Sequence, residues 1–182
     1  YPGTSLTFIP TWAGGMFEGL MANLVVPETT WGTRSFGLAD LRWAQVQVKY
    51  ATEALHYPVW GLSPSSTADD TGNYNTYGAE GLLFPAHQWL SQCTGTPPGC
   101  SSEDTVTPHA SFIALDVLPQ EAYANIQALR TQYPGVYDPN GGFFDAVNPT
   151  SGAVGHRRLV LDQSMIMAAL DNALDDGALQ RH

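Results

Sequence analysis

An all-α fold is what this 182-residue chain predicts, on three observations: apolar residues recur at three- and four-residue steps in several segments, prolines and glycines bracket those segments, and convincing strands are scarce. The clearest helix runs from about Leu38 to Leu55. There Trp43, Val46, Tyr50 and Ala54 share an apolar face, opposite Gln45, Gln47, Lys49 and Glu53. A second helix starts at Thr107-Pro108, an N-cap followed by proline at the first helical position, and continues through Val117. Pro119 opens a third, with Ala122, Ile126, Leu129 and Tyr133 on one face, and the two form a helical hairpin ending at Tyr133-Pro134-Gly135. The last runs from about Asp162 to Asp175, with Gly177 as C-cap, and a shorter one covers Met16 to Val25. Phe143-Phe144-Asp145 and Arg158-Leu159-Val160 are the two segments expected to pair as short strands.

Composition narrows the partners. The formal net charge is -10 and Lys49 is the sole lysine, so the chain lacks the cationic field that captures nucleic acid or anionic lipid. No apolar run approaches the roughly 20 residues that span a bilayer. Residues 1–182 read as a single domain with no linker or repeat, and the opening Tyr1-Pro2-Gly3 suggests a mature, trimmed or partial chain. Cys93 and Cys100 flank a turn-rich Thr-Gly-Thr-Pro-Pro-Gly segment, which favours a loop-stapling disulfide over two free thiols and hence a secreted or periplasmic protein.

Three constellations carry potential chemistry. Glu18 follows Trp12-Ala13-Gly14-Gly15-Met16-Phe17, where aromatic packing would desolvate a carboxyl and suit it to acid catalysis, although a first-turn glutamate also complements the helix dipole. Tyr57-Pro58-Val59-Trp60-Gly61-Leu62-Ser63, with Asp69, Asp70, Asn73, Tyr74 and Tyr77, joins aromatic platforms to carboxylate acceptors. A sugar ring, apolar on its face and hydroxylated at its rim, wants both, while a solvated turn anchored by aromatics would look the same. Phe143-Phe144-Asp145-Ala146-Val147-Asn148 with His156-Arg157-Arg158 and Leu161-Asp162-Gln163 offers Asp145 or Asp162 to activate water and Arg157 to orient a polar group. Asp162 could equally N-cap the last helix, and His109 reads more readily as a satisfied helix-start histidine than as a ligand. No phosphate loop, zinc-protease, serine-hydrolase or redox motif appears, the histidines lack metal-ligand spacing, and no cofactor or metal is expected.

Taken together, these segments resemble the glucoamylase-like domain family, whose relatives include endo-β-1,2-glucanases and the transglycosylating domain of cyclic β-1,2-glucan synthases. The resemblance rests on six pieces in the family's order: the Trp12–Glu18 and Tyr57–Ser63 segments, Thr76-Tyr77-Gly78, Val106-Thr107-Pro108-His109-Ala110, Gly142–Asn148 and Leu161-Asp162-Gln163. It implies an (α/α)6 toroid, of which this chain would form the C-terminal half, with the N-terminal half supplied elsewhere. It also implies glucan hydrolysis, β-1,2-glucan favoured, by a two-carboxylate inverting mechanism. Glu18 becomes the leading catalytic candidate, with Asp145 or Asp162 as its partner, and Trp60, Tyr77, Asp145, Asp162 and Gln163 line the groove. Trp12, Asp69, Asp70, Tyr74, His109 and Arg157 complete the expected substrate contacts. Ser63-Pro64-Ser65-Ser66 departs from the cyclising relatives, which carry a Glu there, so hydrolysis is expected rather than transglycosylation. The competing expectations are a polysaccharide lyase, which the seven basic against seventeen acidic residues disfavour, and a non-catalytic glycan-binding or assembly module.

Overall fold

The computed structural model describes Tyr1, residues 4–79 and residues 104–181. The expected Cys93–Cys100 disulfide lies outside the described residues. Among the described residues the fold is mostly helical: α1 (Met16–Leu20), α2 (Glu28–Trp31), α3 (Phe36–Lys49), α4 (Pro108–Ile113), α5 (Pro119–Gln132) and α6 (Val160–Leu174). Three two-stranded antiparallel ribbons decorate them, β1 (Ser65–Ser66) with β2 (Tyr74–Asn75), β3 (Tyr137–Asp138) with β4 (Gly142–Phe143), and β5 (Ala146–Val147) with β6 (Val154–Gly155). Among the described residues no helix is long and apolar enough to cross a membrane.

Helix α4 is the centre of the bundle, with all six of its residues buried. It packs against α5 as the expected hairpin, and against α6 and α1. Apolar burial from α1, α4, α5 and α6 merges into one core containing Met16, Leu20, Trp60, Ile113, Leu129 and Met165. A smaller cluster gathers Val46, Tyr50, Leu62, Tyr77 and Ala79 between α3 and the loops.

Three expectations change in detail. The α3 segment ends not as an α-helix but as a π-helical turn, Tyr50–Ala54, where the Leu55 amide reaches back five residues to the Tyr50 carbonyl at 3.0 Å. The Met16–Val25 helix tightens after α1 into a 3-10 turn, Ala22–Leu24. The strand pairing of 143–145 with 158–160 is replaced by two local hairpins. In one, the Asn148 side-chain oxygen accepts the Thr150 and Ser151 amides and Gly152 takes φ +78°, closing β5 onto β6. In the other, Asp138 accepts the Asn140 amide and Gly142 takes φ +80°. With their partners chosen by these turns, residues 158–159 stay extended and Val160 enters α6 instead.

Gln47, read from periodicity as part of the solvent face of α3, is fully buried. Its amide nitrogen donates to the Gly14 carbonyl at 2.8 Å and the Leu62 carbonyl at 2.9 Å, and its oxygen accepts the Leu62 amide at 2.8 Å. One side chain thereby clamps together the glycine-pair loop and the Trp60 loop. Asn125 of α5 does the same for Trp60 itself, accepting its amide at 3.0 Å and donating to its carbonyl at 2.7 Å. Buried polar groups of this kind fix loop positions because any other register would orphan them.

Candidate active site

The loops converge at the N-terminal ends of α4 and α6. Leu159 is the N-cap of α6 but contributes no side-chain hydrogen bond, so the cap comes from elsewhere: both Asp145 carboxylate oxygens accept the Leu159 amide, at 2.9 and 3.0 Å. Ser66 of β1 donates to the same carboxylate at 3.2 Å, and the Gln163 side chain, which also donates to the Phe143 carbonyl at 3.1 Å, bonds it as well. Asp162 occupies the third helical position of α6, so it is not the N-cap considered from the sequence. Its Oδ2 lies 3.5 Å from His109 Nδ1 on α4.

This cluster is almost sealed, with Asp145 and Asp162 each 2% exposed and His109 1% exposed. Burial disfavours every charged form here. It pushes the Asp162 carboxyl up to about 8, with the neighbouring Asp145 charge adding to the shift. Asp145 is also raised by burial, but its hydrogen bonds from Leu159, Ser66 and Gln163 and the charge of Arg158 pull the other way. His109 is pushed down to about 3 by burial alone, so it sits neutral. Neither of its ring nitrogens has a hydrogen-bond partner, nor does Asp162 Oδ2, so the histidine is not the satisfied one expected. Both carboxyls are therefore raised, and only Asp145 has donors that partly offset the effect of burial.

Tyr74 on β2 stands at the rim, largely exposed, its phenol raised by burial and then by the charge of Asp162. Behind it the ribbon loop is built by its own aspartates. Asp69 accepts from the Thr67 hydroxyl at 2.6 Å and from the amide and hydroxyl of Thr71, which holds its carboxyl below the usual range. Asp70, at φ +59°, accepts the His156 amide and meets His156 Nδ1 at 2.8 Å, and these contacts lower it too. The Arg157 guanidinium lies over Gly72, where a β-carbon would stand 2.5 Å from its Nη2. Arg158 lies over the Phe144 ring at 3.9 Å and bonds Asp138 at 2.8 Å. A cleft of about 310 Å³ opens beside Asp69 and Asn148.

The remaining expected contacts divide by burial. Trp60 is 5% exposed and Tyr77 1%, both in the core, so neither offers an open face for stacking. Trp12 is 57% exposed. Glu18 is only partly buried, less enclosed than its aromatic neighbours suggest, and its Oε2 accepts the Ala13 amide at 2.7 Å. The α1 terminus beneath it is fastened to the Trp60 loop by Met16 N to Leu62 O and Phe17 N to Ser63 Oγ, both 2.9 Å. Gly14, at φ +74°, and Gly78 pack backbone on backbone, leaving no room for a β-carbon. The structure thus assembles Tyr74, His109, Asp145, Asp162 and Gln163 into one cluster and adds Ser66, which sequence reasoning missed because a serine in a Ser-Pro-Ser-Ser run carries no distinguishing signal. Among the described residues no group of three acidic, histidine or cysteine side chains is placed to hold a metal.

The fold is thus a mostly helical bundle whose connecting loops deliver two buried carboxyls to one end. The family model described as "Putative glucoamylase" matches residues 6–182, and the chain belongs to this glycoamylase family. Among solved structures, a "putative glucoamylase" from Bacteroides caccae aligns over all of this chain at 19% identity and TM-score 0.71, using 39% of its own length. The endo-β-1,2-glucanase of Chitinophaga pinensis, solved with sophorotriose and glucose, aligns over 92% of this chain at 16% identity and TM-score 0.69, using 37% of its length. A β-1,2-glucanase from Parabacteroides distasonis aligns over 92% at 16% identity and TM-score 0.70, using 22% of its length. These likenesses carry the fold, and the chain spans under two fifths of each longer protein. No curated protein sequence matches the chain significantly.

Proposed function

We propose that this chain supplies the carboxyl-bearing end of a glycoside hydrolase that cleaves a glucan, with β-1,2-glucan the favoured substrate, and that the rest of an (α/α)6 toroid comes from a segment outside it. The observation that carries this reading is the sealed pair of carboxyls at the N-terminal end of α6, where burial raises Asp162 to about 8 and Asp145 is held by donors from Leu159, Ser66 and Gln163. Acid catalysis at a glycosidic oxygen needs a carboxyl that still holds its proton, next to another that does not. In this reading Asp162 protonates the leaving oxygen, entering past the exposed Tyr74 ring. Glu18 or Asp145 activates water across the sugar ring, which inversion places roughly 6.5–9.5 Å from the acid. The sequence favoured Glu18 as the acid; the enclosure of Asp162 and the partly open setting of Glu18 support the opposite order of roles. Trp12, Tyr74 and Gln163 are the proposed sugar contacts, and Asp69, Asp70 and Arg157 shape the loop that presents Tyr74.

One observation favours a second reading, a glycan-binding module without turnover: both aspartates are nearly sealed from solvent. Release of reducing ends from β-1,2-, β-1,3-, β-1,4- and α-linked glucans, measured on the polypeptide that carries this chain, separates the two. Cleavage confined to β-1,2-glucan, with the product anomer inverted by NMR, supports the hydrolase. Calorimetric glucan binding with no cleavage of any polymer supports the module. A secreted or periplasmic location belongs to the same proposal, and thiol titration of Cys93 and Cys100 with and without reductant tests the disulfide behind it.

A further inference from the structure

Six buried side-chain atoms among the described residues lack a hydrogen-bond partner, and three of them meet at one contact: His109 Nδ1 and Nε2 and Asp162 Oδ2. Buried polar groups are paired in the great majority of cases, so their concentration here marks an interaction that the resting geometry leaves open. Nδ1 and Oδ2 stand 3.5 Å apart, beyond the roughly 2.7–3.2 Å of a closed N–H···O bond. Both side chains rise from anchored helix starts. His109 is the second residue of α4, behind the N-cap Thr107, whose amide is tied to the Gly61 carbonyl at 2.8 Å. Asp162 is the third residue of α6, whose N-terminus Asp145 caps.

The other donors of the cluster are spent on the other carboxyl. The Leu159 amide, the Ser66 hydroxyl and the Gln163 side chain all bond Asp145, and the charge of Arg158 acts on it too. Asp162 faces the Asp145 charge, which opposes its ionisation, and the Tyr74 phenol at the rim. Once Asp162 gives up its proton, the enclosed carboxylate needs a donor, and His109 is the group placed to supply one. Burial keeps the imidazole neutral, so one ring nitrogen carries a proton and the other a lone pair. A lone pair on Nδ1 would face, and repel, the lone pairs of an ionised Oδ2. A proton on Nδ1 suits both states of Asp162: it donates to Oδ2 while Oδ1 carries the carboxyl proton, and goes on donating after that proton has left. Nε2 then keeps a bare lone pair, whereas the other tautomer would strand an N–H there.

We propose that His109 is a positioning residue for Asp162: its Nδ1–H donates to Oδ2, keeps the transferable proton on Oδ1, and tightens onto the carboxylate when that proton leaves. It rests on the hydrolase reading above, with Asp162 as the acid, and deepens it. In the step itself the Oδ1 proton passes to the glycosidic oxygen as the C–O bond breaks, and the bonding electron pair stays on that oxygen. His109 keeps its own proton throughout. Contacts of this kind are often long in a free enzyme and shorten as charge develops. This role replaces the substrate contact expected of His109 from the sequence, because at 1% exposed the ring is out of reach of a sugar.

The test uses the polypeptide that carries this chain, as wild type, His109→Leu and His109→Asn. Leucine fills a similar volume with no donor, while the asparagine amide nitrogen can stand near the place of Nδ1 and restores one. Imidazole ¹⁵N NMR of the wild type is expected to find His109 protonated at Nδ1 and bare at Nε2 across neutral pH; a bare Nδ1 overturns the proposal with no substrate or variant needed. Carboxyl ¹³C titration is expected to move Asp162 to higher pH in His109→Leu, by about one to two pH units, because its carboxylate has lost the donor. His109→Asn should bring it back toward wild type. On β-1,2-glucan, His109→Leu is expected to lose about 10–100-fold in kcat with KM little changed, and the alkaline limb of its pH profile should shift upward. His109→Asn should recover most of both. Equal impairment of the two variants, with Asp162 titrating as in wild type, overturns the proposal in favour of a packing role. A wild type that cleaves no glucan sinks the hydrolase reading, and the ¹⁵N and ¹³C measurements still decide the pairing itself. Circular dichroism checks that both variants fold.

Discussion

The two ends of the α4–α6 pair carry two buried carboxyl clusters that solve the same electrostatic problem differently. At the N-terminal end burial raises both carboxyls beside a neutral histidine, but donors from Leu159, Ser66 and Gln163 partly offset it at Asp145 while Asp162 has none. At the C-terminal end, Asp40 is pushed up to about 7 by burial and by the charges of Glu28 and Asp116, and its Oδ2 has no hydrogen-bond partner. The first arrangement sets protonation states from within. The second leaves a buried carboxyl oxygen without a donor. Burial alone therefore does not define a catalytic carboxyl; the inventory of its hydrogen-bond partners does.

The sharpest break of this comparison is chemical. Asp162→Asn keeps the size of the side chain and removes its transferable proton, and is expected to lower kcat/KM for glucan by about 10²–10⁴-fold with the fold retained. Asp40→Asn at the other end is expected to leave kcat/KM unchanged. Near-wild-type activity of Asp162→Asn would hand the acid role back to Glu18, which Glu18→Gln then tests by the same assay.

Next in size is the clamp that brings the site loops together. Gln47→Ala removes three buried hydrogen bonds and leaves the Leu62 amide without its partner, for an expected loss of about 2–4 kcal/mol in urea unfolding. A loss below about 1 kcal/mol would mean the loops are held by packing alone. Asp145→Asn removes the charge that adds to the Asp162 shift. Carboxyl ¹³C titration is therefore expected to find Asp162 ionising at lower pH than in wild type, by less than the part that burial contributes.

The smallest effect is on the pH dependence of stability, and its sign differs between groups. Asp162 and Asp40 hold protons in the folded state that the unfolded chain releases near 4, so they cost stability as pH rises from about 4 through 7 to 8. His109, neutral when folded down to about 3, works oppositely and costs stability as pH falls below about 6.5. Above 6.5 only the carboxyls remain, and the thermal midpoint is expected to decline toward pH 8. Asp162→Asn should flatten the part of the decline nearest pH 8, and Asp40→Asn the part near 7. An unchanged slope in both variants would show that the two clusters are not the groups that set it.

The sequence alone made the helices legible, because periodic apolar residues with Pro108, Pro119 and Gly177 at their ends specify helices locally. It also placed Asp145, Asp162 and Gln163 among the candidates, through segments whose order matches the family, and Tyr74 through the aromatic and carboxylate pattern of its loop. Only the tertiary structure decided which of these meet. Gln47 and Asn125 look like surface residues until the loops they hold are folded against them, and Trp60 and Tyr77 look like platforms until the core closes over them. The choice of hairpin over a 143–158 pairing was settled by turn residues that compete with strand pattern at short range. The raised carboxyl of Asp162 depends on burial and on Asp145 from a preceding loop, and its approach to His109 on a contact more than fifty residues away in the chain, which no local pattern records.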